Sequence, residues 1–322
     1  MADAAMLRRF LSITILVGFL IWVAWYVRGN IEAFAPILDV TWLDGLNLTL
    51  AFLAIMIGNG LFISIVSSAL GIRLTCREYT SLSFASSFAN FFLPFRGGAG
   101  IRALYMSRMH SFPVAEFLST LSIMYLMHSV INGLLALTGM GLIAAKGGPV
   151  DLSLTVFFGF IVVAGSAAML IDFDLESANR RFPLAQLARF TRASRTLRGD
   201  RQSMFRLWLL MLVMALATVW QCRTAFHALS IPLPWAEVFV YAASKNLATL
   251  IGLTPGALGV VELVSIYLGS VLGYTTADAL SVQGLIRAVA IVVLLLAGPF
   301  AILYLRRRLA ARAPLRADSV DA

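Results

Sequence analysis

Catalytic and metal-binding side chains are scarce in this sequence. Its 322 residues include three histidines and two cysteines. Cys76 and Cys222 are too few for a disulfide framework, and neither has a ligand neighbour at useful metal-site spacing. No metal site and no cofactor are expected. Charge is sparse as well: 13% of the residues are Asp, Glu, Lys or Arg. No polar block is long enough to build a soluble domain. The sequence holds no His-Glu-x-x-His, Cys-x-x-Cys, Walker-type phosphate loop or Gly-x-Ser-x-Gly. No paired carboxylates stand inside an apolar run. These absences argue against an enzyme. With no nucleotide-binding domain, any transport is expected to run downhill or to be coupled to an ion gradient.

Apolar residues are what the chain has in abundance. They make up 60% of it, with a mean hydropathy of +0.88, which places it among polytopic membrane proteins. A net charge of +9 and a pI near 10.1 would also suit a nucleic-acid binder. The arginines cluster in loops beside apolar spans, however, as the positive-inside rule requires. No nucleic-acid partner is expected. Runs long enough to cross a bilayer occupy 10–27, 46–70, 117–145, 154–171, 207–226 and 284–304. Arg8 and Arg9 ahead of the first run resemble a signal-peptide start. That run has 18 apolar residues and no small-x-small cleavage site after it, so it reads as a retained span. The whole of 1–322 reads as a single integral membrane domain, with a basic loop at 172–206 and a basic tail at 305–322.

Two further apolar stretches are too short to cross. At about 1.5 Å per residue, 80–93 and 238–253 reach roughly 21 and 24 Å, against a hydrocarbon core of roughly 30 Å. Each ends in a break. Pro94 is followed by Gly97-x-x-Gly100, and Pro255 by Gly256-x-x-Gly259. Short apolar stretches then run back, 101–109 after the first break and 259–273 after the second. Broken backbone and charge inside lipid are costly, and persist where they line a cavity or a substrate path. Each pair reads as re-entrant, entering and leaving on one side.

Charge fixes the orientation. With the N-terminus in the cytoplasm, eighteen basic residues fall on the inner side, eight of them arginines of 172–206, and two, Arg28 and Lys146, on the outer side. Residues 1–145 then read span, span, re-entrant pair, span. Residues 154–304 repeat that order upside down. The expected fold is therefore all-α: six full transmembrane spans and two re-entrant broken-helix pairs in an inverted-topology repeat, an architecture common among secondary transporters.

Each break sets the N-terminus of a returning half-helix near the bilayer midplane. Its unpaired backbone N–H groups and dipole favour an anion. Arg96 and Arg102 add planar forks suited to phosphate or carboxylate, and Gly97 and Gly100 let such a group approach the backbone. The first break therefore reads as an anion cradle. At the second, Glu262 is expected either to pair with Arg102, Lys245 or Arg287, or to carry a proton. Tyr125, His128 and Asn132 share one face of the long 117–145 span, where His128 is expected to be a bundle histidine or a proton relay.

The residues of the two breaks carry a resemblance. Asn90-x-x-x-Pro94 with Arg96, Gly97, Gly100 and Arg102, and then Pro255-Gly256-x-x-Gly259-x-x-Glu262, resemble the paired signatures of the flippase-like membrane domain. This is the transmembrane region of lysyl-phosphatidylglycerol synthases. Ile101 stands where that pattern has an acidic residue. The resemblance implies a protein that moves or binds polar lipids between leaflets, in the plasma (inner) membrane of a prokaryote. The full synthases add an aminoacyl-transferase domain, which a chain ending at Ala322 is expected not to carry. The expected function is a flippase for an anionic or aminoacylated lipid, with Asn90, Arg96, Arg102 and the Gly97–Gly100 backbone holding the head group. Lys245 and Glu262 would form an opposing gate, and Pro94, Pro255, Gly256, Gly259 and Arg287 are expected among the substrate-binding residues. Two alternatives stand beside it. One is a non-transporting lipid-binding protein that docks a lipid-modifying enzyme through 172–206. The other is a small-anion transporter.

Overall fold

The computed structural model describes residues 31–92, 97–170, 199–252 and 254–317, together with Trp25 and Arg28. The expected first span at 10–27, most of the basic loop (172–198), and Pro94 and Arg96 lie outside the described residues. After a 3₁₀ segment, Ile31–Asp39, nine α-helices follow among the described residues: α1 (Trp42–Ala69), α2 (Cys76–Phe92), α3 (Gly97–His110), α4 (Val114–Ala145), α5 (Leu152–Leu170), α6 (Arg201–Ala228), α7 (Trp235–Ala248), α8 (Val260–Leu272) and α9 (Thr276–Ala317). No strand occurs among them.

Local chemistry sets the ends. Thr41 caps α1, its hydroxyl accepting from the Asp44 amide at 3.2 Å. Asp200 caps α6 by accepting from the Gln202 and Ser203 amides, both at 3.1 Å. Those bonds and the Ser203 hydroxyl hold the Asp200 carboxyl below its ordinary pKa. The cap starts α6 six residues before the expected 207, so Arg201 and Arg206 are helical rather than part of a loop. Thr275 and Asp278 exchange bonds at the start of α9, which opens eight residues ahead of the expected 284. That helix continues to Ala317, so Arg306, Arg307 and Arg308 belong to it and not to a tail.

Six helical segments among the described residues are long and apolar enough to cross a membrane. Five, in α1, α4, α5, α6 and α9, answer to expected spans; the sixth is Pro255–Leu272, which takes in the second break and α8. The protein is a multi-pass membrane protein. Side chains such as Trp42, Leu152, Phe160, Phe205, Leu296 and Phe300 are exposed on its outside, as a lipid-facing surface requires.

Packing is between halves. α1 lies on α6, α4 on α7, and α9 on α2. One core cluster joins α4, α6, α7 and α9 around Phe226, Tyr241 and Tyr274, whose rings meet edge to face at 4.8–6.0 Å. A second, with Leu82, Tyr105, Met106, Phe112 and Leu305, ties α2 and α3 to the end of α9. α2 and α3 form a tight antiparallel hairpin. A Cβ on Gly98 would sit 1.9 Å from the Ser86 carbonyl oxygen, so only glycine permits this approach.

Candidate functional site

The two broken regions meet at one cavity of about 350 Å³. Asn90, Arg102, Lys245, Gly256 and Arg287 line it, with Tyr125 and His128 of α4. Among the described residues no lining residue is an aspartate or glutamate. Much of the remaining wall is apolar, including Phe52, Met124, Met211, Ile286 and Leu294.

At the first break, Asn90 Oδ1 accepts from the Gly98 amide at 2.8 Å and so caps the start of α3. Arg102, one turn further on and buried, donates from Nε to Ser86 Oγ at 2.6 Å. Gly97 and Gly100 lie off the cavity wall, and open space surrounds the place where a Cβ of Gly100 would stand. The glycine with no room for a side chain is their neighbour, Gly98.

At the second break, Pro255 opens a 3₁₀ turn, Pro255–Ala257, in which Gly256 has φ +57°. Gly259, at φ +88°, precedes α8. Both are left-handed conformations in which glycine carries no Cβ penalty. Glu262 is buried and reaches back to the Gly259 amide at 2.8 Å. Its other oxygen accepts from Arg287 Nε. Arg287 also donates from Nη1 to the Gly256 carbonyl at 3.0 Å and lies over the Phe91 ring at 5.9 Å. Among the three partners expected for Glu262, the structure selects Arg287. Pro255, Gly259 and Glu262 stand behind the cavity wall and do not line it.

Lys245 is not paired with Glu262. Its ammonium donates to Gln221 Oε1 at 3.1 Å. Asn132 also lies behind the wall: its Oδ1 accepts from Asn246 Nδ2 at 2.9 Å, and its Nδ2 donates to the His128 carbonyl at 2.8 Å. That bond ties α4 to α7. Below them, Gln283 donates to the Tyr241 hydroxyl, which bonds Ser265 Oγ at 2.9 Å.

Two groups of residues escaped the sequence reading. Gln221, Asn246 and Gln283 are isolated amides in apolar runs, and that isolation was the available signal. Glu78 gave none, standing beside Arg77 like an ordinary interfacial acid. It lies in the first turn of α2, ahead of the apolar stretch, and it is buried. It accepts from the Tyr105 hydroxyl at 2.7 Å and Arg308 Nη1 at 2.9 Å, and pairs with His110 Nε2 at 2.7 Å. Burial pushes the Glu78 carboxyl up, but the Tyr105 and His110 hydrogen bonds and the nearby positive charges outweigh it and hold it below the ordinary value. Arg223 turns back to the α6–α7 connection, donating to the Leu233 carbonyl at 2.8 Å and lying over the Trp235 ring.

Among the described residues no group of three or more His, Cys, Asp or Glu is arranged to hold a metal. No curated protein matches the chain. The family model of the lysylphosphatidylglycerol synthase TM region matches residues 9–298, through both breaks and every cavity-lining helix, and the chain belongs to that family.

Proposed function

We propose that this protein carries a polar, anionic or aminoacylated lipid between membrane leaflets, with the head group in the cavity and the acyl chains in the surrounding bilayer. One observation carries the reading: the helix breaks of both halves converge on one cavity lined by Arg102, Lys245 and Arg287, with no carboxylate among its described lining residues. A volume of about 350 Å³ lies at the low end of small-molecule pockets, room for a head group and too little for acyl chains. Membership of a lipid-synthase membrane family supports the lipid as cargo.

Alternating access by an inverted repeat is part of the proposal. Under the repeat, α1 corresponds to α6, α2–α3 to α7–α8, and α4 to α9. Exchange of the halves maps the α1–α6 contact onto itself and turns α4-on-α7 into α9-on-α2. Those three pairings are all present, which supports the repeat. The 17 residues of α2 and 14 of α7 reach about 26 and 21 Å at roughly 1.5 Å per residue, which supports re-entrant hairpins. The excess of eighteen basic residues over two supports cytoplasmic termini, and membership of the family supports a prokaryotic inner membrane as the proposed location. The proposed role is transport without catalysis.

The test is translocation of acyl-labelled phosphatidylglycerol in proteoliposomes, wild type beside Arg102→Ala. The wild type is expected to move lipid faster than protein-free vesicles and Arg102→Ala to lose that excess. A wild type no faster than empty vesicles, or an unimpaired variant, defeats the reading.

A further inference from the structure

The cavity is more selective than a generic lipid site. Among the described residues its lining carries three cations, Arg102, Lys245 and Arg287, and no acid. The nearest available acid by contact, Glu262, is committed to Arg287 and to the Gly259 amide. Lys245 differs from the two arginines. Among the described residues its ammonium has one hydrogen-bond partner, the neutral Oε1 of Gln221. A lysine only donates, so Gln221 must turn its oxygen toward Lys245 and its NH₂ away. That Nε2 is buried and has no hydrogen-bond partner, although Gln221 is only 2% exposed. An unsatisfied buried donor is costly. Here it sits beside a cation whose ammonium protons exceed its acceptors, and both residues line the same cavity. One oxyanion satisfies both at once through charge-assisted bonds.

From this we infer that Lys245 and Gln221 form the anion-holding pair of the cavity, and that its ligand is a phosphate-bearing lipid head group without an ammonium. This inference rests on the lipid reading above and narrows it. A phosphate in this lining meets the Lys245 ammonium and the Arg102 guanidinium, beside an Arg287 already matched by Glu262. An ammonium on the same head group meets those cations again, with no carboxylate among the described lining residues to receive it, and like charges in a poorly solvated site repel strongly. Aminoacylated and ethanolamine head groups are therefore rejected, and an acidic head group with neutral hydroxyls is retained.

The experiment is equilibrium binding to detergent-solubilised full-length protein, with no translocation step. Four probes are compared: acyl-labelled phosphatidylglycerol, phosphatidylethanolamine, the lysyl ester of phosphatidylglycerol, and inorganic phosphate as a competitor. Phosphatidylglycerol is expected to bind roughly tenfold to a hundredfold more tightly than either amine-bearing lipid, and phosphate to compete weakly. Lys245→Met and Gln221→Leu, each checked for a wild-type thermal transition, are expected to bring phosphatidylglycerol down toward the amine-bearing lipids. Two variants guard against one that fails to fold. Equal or tighter binding of an amine-bearing lipid by the wild type overturns the inference, as does a folded variant that keeps the preference. Inorganic phosphate competing as strongly as the lipid overturns the lipid source in favour of a small anion. Failed translocation with this preference intact would remove the transport reading and leave the head-group assignment standing.

Discussion

The two breaks share a backbone device and differ in charge. α3 starts on a neutral cap, Asn90 on the Gly98 amide, with Arg102 bound to the neutral Ser86 hydroxyl. α8 starts on an anionic cap, Glu262 on the Gly259 amide, and that anion is matched by Arg287. A helix N-terminus attracts negative charge. The second break supplies its own and is electrostatically closed. The first supplies an amide oxygen only, and its arginine lines the cavity. The second break thus reads as a braced wall, the first as part of the binding surface. Two Gly-x-x-Gly motifs that look alike in sequence have taken different roles.

Six substitutions at the two breaks sharpen this contrast. The largest effect is expected from Gly98→Ala, whose Cβ meets backbone at 1.9 Å. Backbone cannot move aside as a flexible side chain can, so a loss of about 3 kcal/mol or more, or failure to fold, is expected. Gly100→Ala, with open space around it, should leave the thermal transition unchanged or slightly raised. Next comes Arg287→Met, which strands the buried Glu262 and should cost about 3–5 kcal/mol. Adding Glu262→Gln should recover a large share of that loss, read as a non-additive double-mutant cycle. Arg102→Met, which removes the bond to the neutral Ser86 hydroxyl, should cost less stability than Arg287→Met while abolishing anion binding. Asn90→Ala should cost about 1 kcal/mol, the loss of a neutral cap.

The smallest effect is a pH dependence at Glu78. Its folded-state value lies below the ordinary one, so its contribution is fully present above the unfolded carboxylate value and is lost as pH falls through the folded one. Wild-type thermal stability should fall below about pH 4, and Glu78→Gln should flatten that fall while lowering stability at neutral pH.

Much of the helix inventory was legible because long apolar runs and Pro-Gly breaks dominate it. Five described spans coincide with runs read directly, and both breaks fall where Pro and Gly interrupt them. Boundaries were set by caps that hydropathy does not show, and Asp200 and Thr275 moved the starts of α6 and α9. Partners were not legible. Glu262 and Arg287 lie on different helices, and Glu78 and Arg308 are 230 residues apart. Gln221 contributes more to the site than Gly100 because cavity chemistry depends on which side chains converge, and period and composition do not carry that. Pro94 and Arg96 lie outside the described residues, so the first break is known here from its flanks.

The central claim is that the cavity between the breaks is the path of the head group. Thr249 lines it and is exposed to it, so Thr249→Trp fills the space without altering charge or overpacking a core. Lipid translocation in proteoliposomes by folded Thr249→Trp, beside wild type, tests the claim most directly. The account predicts that wild type moves phosphatidylglycerol and the filled variant does not; equal rates for the two would contradict it.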